Sequence, residues 1–209
     1  MRKHVIHIRG NFGSQVLQAA VGICAALNED DNSSIELIQN VGGIKDVESF
    51  GNQASLLHHA FLSELNITLD RTGTKKTRYW HHGYASFLHK NHNRFIQIVK
   101  PRNMVSHPVR ALVYIPRSNL SFESKKFIYN YLILQALQEQ KNITVVGQDD
   151  AVFHYLFHKF QNFGLDFKIS KSLIEDWSLI THSTDIYSIP ESLTLAAISV
   201  YPLITFNTM

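Results

Sequence analysis

HVIHIRGNFGSQVLQAAVGICAAL, residues 4–27, decides how this chain is read. His4-Val5-Ile6-His7-Ile8 has the length and apolar content of a strand. Arg9 to Gln15 carries two glycines and reads as a polar turn, and Val16 to Leu27 is apolar enough for a buried helix. A strand that breaks at glycines and re-emerges as a helix aims unpaired backbone N–H groups at whatever lies above the sheet. The helix dipole adds to those amides, so such an end favours an anion. The first expectation is a phosphate-bearing or sugar-nucleotide ligand. Glycine turns also join strands to helices in folds that bind nothing, so the loop needs support from the rest of the chain.

That support starts with the same alternation further on. Strands are expected at Ile35–Ile38, Phe95–Val99, Ala111–Ile115, Ile143–Val146, Asp166–Ile169, Asp185–Ser188 and Leu203–Phe206. Between them lie expected helices at about Gly51–Leu65, from the N-cap Ser121 to Gln140, and at Ala151–Phe160, Lys171–Leu179 and Pro190–Ser199. Asn66–Arg94 is polar and basic and reads as a long loop without a clear period. Short apolar strands alternating with helices predict an α/β fold, a parallel sheet covered on both faces. Ligands of such sheets bind beyond the carboxyl ends of the strands. The residues to watch are therefore those directly after strands.

Composition bounds the class. A chain of 209 residues accommodates one larger domain or two small lobes, and 44% hydrophobic with 18% charged residues is globular rather than disordered. No apolar run reaches the roughly 18 to 20 residues needed to span a bilayer. The N-terminus lacks the pattern of a secretory signal, so a cytoplasmic location is expected. The one cysteine, Cys24, sits among Gly22, Ile23, Ala25 and Ala26 and reads as an inert core thiol.

The net charge of +3 conceals an asymmetry. No acidic residue lies between Asp70 and Glu123, whereas Arg71, Lys75, Lys76, Arg78, Lys90, Arg94, Lys100, Arg102, Arg110 and Arg117 do. Such a block is either a solvated basic loop or a field that attracts polyanions. Tyr79, Trp80, Tyr84 and Phe87 interleave with it, an arrangement that stacks single-stranded nucleic acid, stacks sugar rings or anchors the loop. His81, His82, His89 and His92 have metal-ligand spacing, but no cysteine or acid completes a closed site there, so no metal is expected.

The strand ends carry a resemblance. Ile8-Arg9-Gly10-Asn11-Phe12-Gly13-Ser14-Gln15-Val16-Leu17-Gln18 resembles the opening motif of α-1,2-fucosyltransferases and related GT-B glycosyltransferases, a strand followed by Gly-Gly-Leu-Gly-Asn-Gln, an apolar pair and Gln. Gly10, Gly13, Gln15 and Gln18 match, while Asn11 replaces the second glycine and Ser14 the asparagine. Tyr114-Ile115-Pro116-Arg117-Ser118-Asn119 stands where the family has His-Ile-Arg-Arg-Gly-Asp, keeping one arginine. Ile143 to Asp150 resembles the strand ending in Ser-Asp-Asp. Asp176-Trp177-Ser178-Leu179-Ile180, then Ser183 to Ala197, resemble the closing segment, an aspartate before an apolar helix and serines before a helix of small residues.

The resemblance implies two Rossmann-like parallel-sheet lobes in a minimal GT-B-like version. Residues 1–105 would form the acceptor-side lobe and 106–209 the nucleotide-sugar lobe. It implies transfer of a sugar, fucose among the options, from a nucleotide diphosphate donor to a carbohydrate or other acceptor hydroxyl. The nucleotide sugar is then a co-substrate and no cofactor is needed. Leaving-group charge would be stabilised without a metal by arginine and helix N-termini, with Arg117 first and Arg9 second. Arg117, Ser118, Asp149, Asp150, Ser188, Glu191 and Ser192 would hold the nucleotide sugar, and Gly10, Asn11, Gly13 and Gln15 would form the acceptor-side loop. Each has a plainer reading: a surface ion pair for Arg117, a helix cap for Asp149-Asp150, and simple helix-start residues for Glu191 and Ser192. The transfer needs a general base, and the sequence offers no single obvious one: His7 follows the strand pattern of a core histidine, and Asn11 can orient an acceptor but cannot serve as a base. Two other functions stand beside this one: a GT-B-like binding protein without catalysis, and a basic nucleic-acid-associated protein using residues 71–110.

Overall fold

The computed structural model describes residues 3–29, 34–40, 66–70, 111–139, 142–148, 150–201 and 204–209. The chain divides into two units, Met1–Pro101 and Arg102–Met209. Each unit has its own parallel sheet.

In the first unit β1 (Lys3–Ile8) runs into α1 (Phe12–Glu29), followed by β2 (Ser34–Asn40) and β3 (Asn66–Asp70). The sheet order is β1-β2-β3, with every pair parallel. α1 begins at Phe12, ahead of the expected start, because the Asn11 carboxamide oxygen accepts the Ser14 N–H at 3.0 Å and ends the turn early. The helix buries nearly every side chain from Phe12 to Ala26, as its apolar composition dictates. β3 corrects the expectation of a loop from Asn66 onward. Asn66, Thr68 and Asp70 alternate with Ile67 and Leu69, a period-2 pattern five residues long within a polar surrounding. The expected helix at 51–65, the expected strand at 95–99 and the basic segment 71–110 with its histidines lie outside the described residues.

The second unit runs β4 (Ala111–Ile115), α2 (Phe122–Glu139), β5 (Ile143–Gly147), α3 (Ala151–Phe160), β6 (Asp166–Ile169), α4 (Leu173–His182), β7 (Asp185–Tyr187), α5 (Ser192–Val200) and β8 (Thr205–Asn207). The order is β6-β5-β4-β7-β8, all parallel. β4 and β5 are buried along their whole length, which is why they read as unbroken apolar runs. Ala111, Val113 and Ile115 face α2 and α3 and form one core with Leu132, Ile133, Leu156 and Phe160. Tyr114, of opposite parity in β4, meets α4 on the other face. Helix starts move to where capping side chains sit: Ser172 accepts from Glu175 N–H ahead of α4, and Glu191 ahead of α5 replaces the expected start at Pro190.

Candidate functional site

β4 is first in sequence but third in the second sheet, so the chain winds outward from it in both directions. β5 and β6 lie on one side, β7 and β8 on the other. Crossovers that diverge in this way leave a crevice at the carboxyl ends of the two strands where the order reverses, here β4 and β7. Of the C-terminal site set, Arg117 and Ser118 follow β4, Asp150 follows β5 and Ser188 follows β7.

Ser188 follows β7 and is fully buried, and its hydroxyl donates to the Tyr114 carbonyl at 2.7 Å, tying the ends of β7 and β4 together. Its own N–H donates to the Asn207 carbonyl at the end of β8. Arg117, exposed just beyond β4, donates through Nε to the Gln148 Oε1 that follows β5. The plainer reading of Arg117 as half of an ion pair has no counterpart among the described residues. Ser118 Oγ is buried without a hydrogen-bond partner. Tyr129 reaches the same edge from α2: its buried hydroxyl lies near Ser188 and the Ile189 backbone, in bonding geometry with neither. Burial pushes that phenol above its ordinary range.

On the other face Asp176, in the first turn of α4, is 5% exposed. Its Oδ2 accepts from the Ser170 hydroxyl at 2.8 Å and from the Tyr114 hydroxyl at 3.1 Å, while Oδ1 has no partner. Burial raises the Asp176 carboxyl above the usual carboxylate value, against the opposing pull of those two hydrogen bonds. Tyr114 is raised too, first by burial and then by the Asp176 and Glu191 charges.

Two of the expected ligand residues have their side chains engaged as caps. Asp150 Oδ1 accepts the Phe153 N–H at 2.9 Å and starts α3. Glu191 Oε1 accepts the Thr194 N–H at 2.9 Å, and the Thr194 hydroxyl answers to the Glu191 N–H at 3.2 Å, a reciprocal capping box. Ser192 is the first residue of α5, and Asp149 lies outside the described residues.

Arg9, Gly10 and Asn11 form the strand–helix turn of the first unit, and Gly13 and Gln15 lie in the first turn of α1. Gly10 has φ +90°, a conformation that only glycine adopts without strain. Beneath it the Gln15 amide donates to the Gly10 carbonyl at 2.7 Å, and Gln15 is fully buried. Gln18 bonds Arg9 twice: Oε1 accepts the Arg9 N–H at 3.0 Å and Nε2 donates to the Arg9 carbonyl at 2.9 Å. Gln15 thus braces the loop from below and sits under its surface. Gly10, Asn11 and Arg9 are the exposed members. His7 is half-buried in β1 with Nδ1 unpartnered.

Three residues of the edge escaped the sequence reading as site members: Tyr114, Ser170 and Asp176. Their signals were faint, a phenol in an aliphatic strand, a serine directly after β6 and an acid in an apolar helix. Among the described residues no group of three metal-ligating side chains occurs, and no helix is long and apolar enough to cross a membrane.

No family model and no curated protein matches the sequence. Solved structures do. The chain is similar to E. coli heptosyltransferase WaaC with ADP, at 9% identity, TM-score 0.50, over 94% of this chain and 84% of that one. It is similar to the same enzyme with ADP-2-deoxy-2-fluoro heptose, at 9% identity, TM-score 0.52, over 94% and 86%. E. coli ADP-heptose lps heptosyltransferase II also matches, at 10% identity, TM-score 0.48, over 100% and 90%. Identities this low speak to architecture alone, and the two WaaC comparisons cover nearly the whole chain. Two units, each built on a parallel α/β sheet and the second doubly wound about β4, give this chain a Rossmann-like architecture similar to that of the WaaC structures.

Proposed function

We propose that the protein transfers a sugar from a nucleotide diphosphate donor to a hydroxyl of a glycan or other acceptor. The observation that carries this reading is Arg117 at the switch-point edge, braced by Gln148 and paired with no carboxylate among the described residues. In the transfer an acceptor oxygen bonds to the anomeric carbon, the bond from that carbon to the phosphate oxygen breaks, and the nucleoside diphosphate leaves with the electron pair. The acceptor proton passes to a general base. Charge grows on the leaving phosphate, where a guanidinium offers two donors and a full positive charge. With Arg117 in that role the reaction proceeds without a metal or cofactor. Ser118, next in the chain, offers a hydroxyl to the nucleotide, Ser188 pins the strand ends beneath it, and the Arg9–Asn11 turn serves the acceptor. WaaC, solved with ADP and with an ADP-sugar analogue, supports a nucleotide-sugar donor. Fucose is the sugar favoured by the motif resemblance at Gly10, Gly13, Gln15 and Gln18.

Thermal shift against ADP, GDP, UDP and their sugar derivatives tests the reading, since a ligand that binds the folded state raises the melting point. At least one nucleotide is expected to do so, and a flat response to all of them sinks the proposal. Donor turnover by Arg117→Ala is expected to fall about 10²–10³-fold. Equal turnover removes Arg117 from the phosphate. A second reading, a binding protein without catalysis, is favoured by Ser118-Asn119 standing where the fucosyltransferase motif has Gly-Asp. It predicts nucleotide binding with no turnover by the unaltered protein.

A further inference from the structure

Among the described strands β6 is the outermost on its side of the second sheet, and its Asp166, Lys168 and Ile169 are exposed. An edge strand offers a row of unpaired N–H and C=O groups to another chain. The ladder with β5 decides which groups those are. The Ser170 N–H donates to the Gly147 carbonyl at 2.6 Å, so Ser170 and the residues of its parity, Lys168 and Asp166, turn their backbone groups towards β5. Phe167 and Ile169 turn theirs outward.

Side chains alternate between the two faces as well. Phe167 lies on the α3 face, edge-on to Phe153 at 5.7 Å and to Phe157 at 5.4 Å between ring centroids. Ile169 shares that face, and it and Phe157 keep 44% and 39% of their surface exposed. On the opposite face Lys168 and Asp166 form an ion pair at 2.9 Å. The strand thus carries one positive and one negative charge two residues apart, astride an aromatic ring. Read backwards, Asp-Phe-Lys becomes Lys-Phe-Asp, its own complement. A contact between two copies about a two-fold axis requires that self-complementarity.

We propose that β6 pairs antiparallel with β6 of a second copy about a two-fold axis at Phe167, joining two second-unit sheets edge to edge. Backbone and charge select this register independently. Opposite residues of an antiparallel pair either both exchange hydrogen bonds or both do not, so the outward Phe167 and Ile169 must face outward residues. Centring on Phe167 sets that residue against its own copy. Asp166 then faces the partner's Lys168 in a close, non-hydrogen-bonded pair, where side chains interact most directly. Centring on Asp166 or on Lys168 satisfies the backbone too, but puts like charges face to face. Larger slips leave much of the four-residue strand unpaired. The intrachain ion pair is exposed and contributes little, so exchanging it for two crossed pairs meets little resistance. Because the paired strands run in opposite directions, the carboxyl edges of the two sheets lie at opposite ends, and the Arg117 edge of each copy stays open.

The test is sedimentation velocity on the full chain over about 1–100 μM, where the wild type is expected to dimerise with rising concentration. Asp166→Lys and Lys168→Asp each turn two cross-strand attractions into repulsions, and each is expected to weaken the dimer about 10- to 100-fold without lowering the melting temperature. Mixed together, the two variants are expected to dimerise again, because every lysine of one then meets an aspartate of the other. A wild type that stays monomeric throughout overturns the proposal. So does a dimer that survives both reversals, as one built on the exposed Phe127, Tyr131 and Leu134 of α2 would. A mixture that stays monomeric overturns it as well. Should a single reversal fail to fold, the doubly reversed chain, Asp166→Lys with Lys168→Asp, keeps the intrachain ion pair. Fluorescence transfer between labelled chains is then expected to show wild type and double variant each pairing with itself and not with the other, and free mixing overturns the proposal. None of these readouts depends on a nucleotide, so their outcome is separate from that of the transferase reading.

Discussion

The Ser188 hydroxyl donates to the Tyr114 carbonyl at 2.7 Å, joining the carboxyl ends of β7 and β4 across the point where the strand order reverses. The two residues are 74 positions apart, and both are buried. The hydroxyl proton is committed to the protein, so towards any ligand Ser188 is left as an acceptor. Ser188→Ala strips the Tyr114 carbonyl of its donor without changing the strand. The expected cost is about 1–3 kcal/mol in urea unfolding, the penalty of an unsatisfied buried group. Unchanged stability would mean that this carbonyl finds water and that the strand ends are not pinned by Ser188.

Asp150 separates capping from ligand binding. Its carboxylate accepts the Phe153 N–H in the first turn of α3. Asp150→Ala is expected to destabilise by about 1 kcal/mol, and Asp150→Asn, which keeps a capping oxygen, by much less. If the residue also touched nucleotide through its charge, Asp150→Asn would leave stability intact and still shift nucleotide affinity. Measuring both quantities on both variants decides which task the side chain performs.

The parts of the fold visible in the sequence were those set by local chemistry. β4 and β5 read as strands because a strand buried on both faces must be apolar throughout. Ser121 was legible as the residue before α2, and its hydroxyl does accept the Ser124 N–H at 3.2 Å. β3 was missed because five residues of weak alternation in a basic stretch carry little periodic signal. The site was less visible for a stronger reason. Tyr114 and Asp176 are 62 residues apart, so no spacing along the chain could pair them. Gln15 and Gln18 were legible as motif members, but not as braces. Which backbone groups their amides reach depends on how α1 lies against β1.

Two glycines of α1 and its turn differ in what forbids a side chain. At Gly10 the obstacle is the backbone, with φ +90°. At Gly22 it is space, since an added Cβ would stand 2.6 Å from Ile6 Cγ2 on β1. Gly10→Ala is expected to cost about 1–2 kcal/mol through left-handed strain, and Gly22→Ala about 1–3 kcal/mol through overpacking. A double-mutant cycle distinguishes the causes. In an Ile6→Ala background the Gly22→Ala penalty is expected to shrink, while the Gly10→Ala penalty stays. Penalties that both shrink, or both persist, would contradict this assignment.

Asp176 gives the protein a stability term that runs opposite to most carboxylates. Its folded value is raised by burial above the ordinary 3.8. In the window between the two values the folded chain holds more protons than the unfolded one, so stability falls as pH rises through it. The contribution of Asp176 is therefore fully present below the unfolded value and lost as pH rises through the folded one, above which the buried carboxyl must ionise. Asp176→Asn retains an oxygen for Ser170 and Tyr114 and carries no charge to bury. The variant is expected to melt higher than wild type at neutral pH, with the difference closing as pH falls below the ordinary carboxylate value. Taking the difference between the two proteins at each pH cancels the titration of all other groups. A variant that melts lower than wild type by the same margin at every pH would show that the Asp176 charge is compensated in the folded state, and that its two hydroxyl donors outweigh its burial.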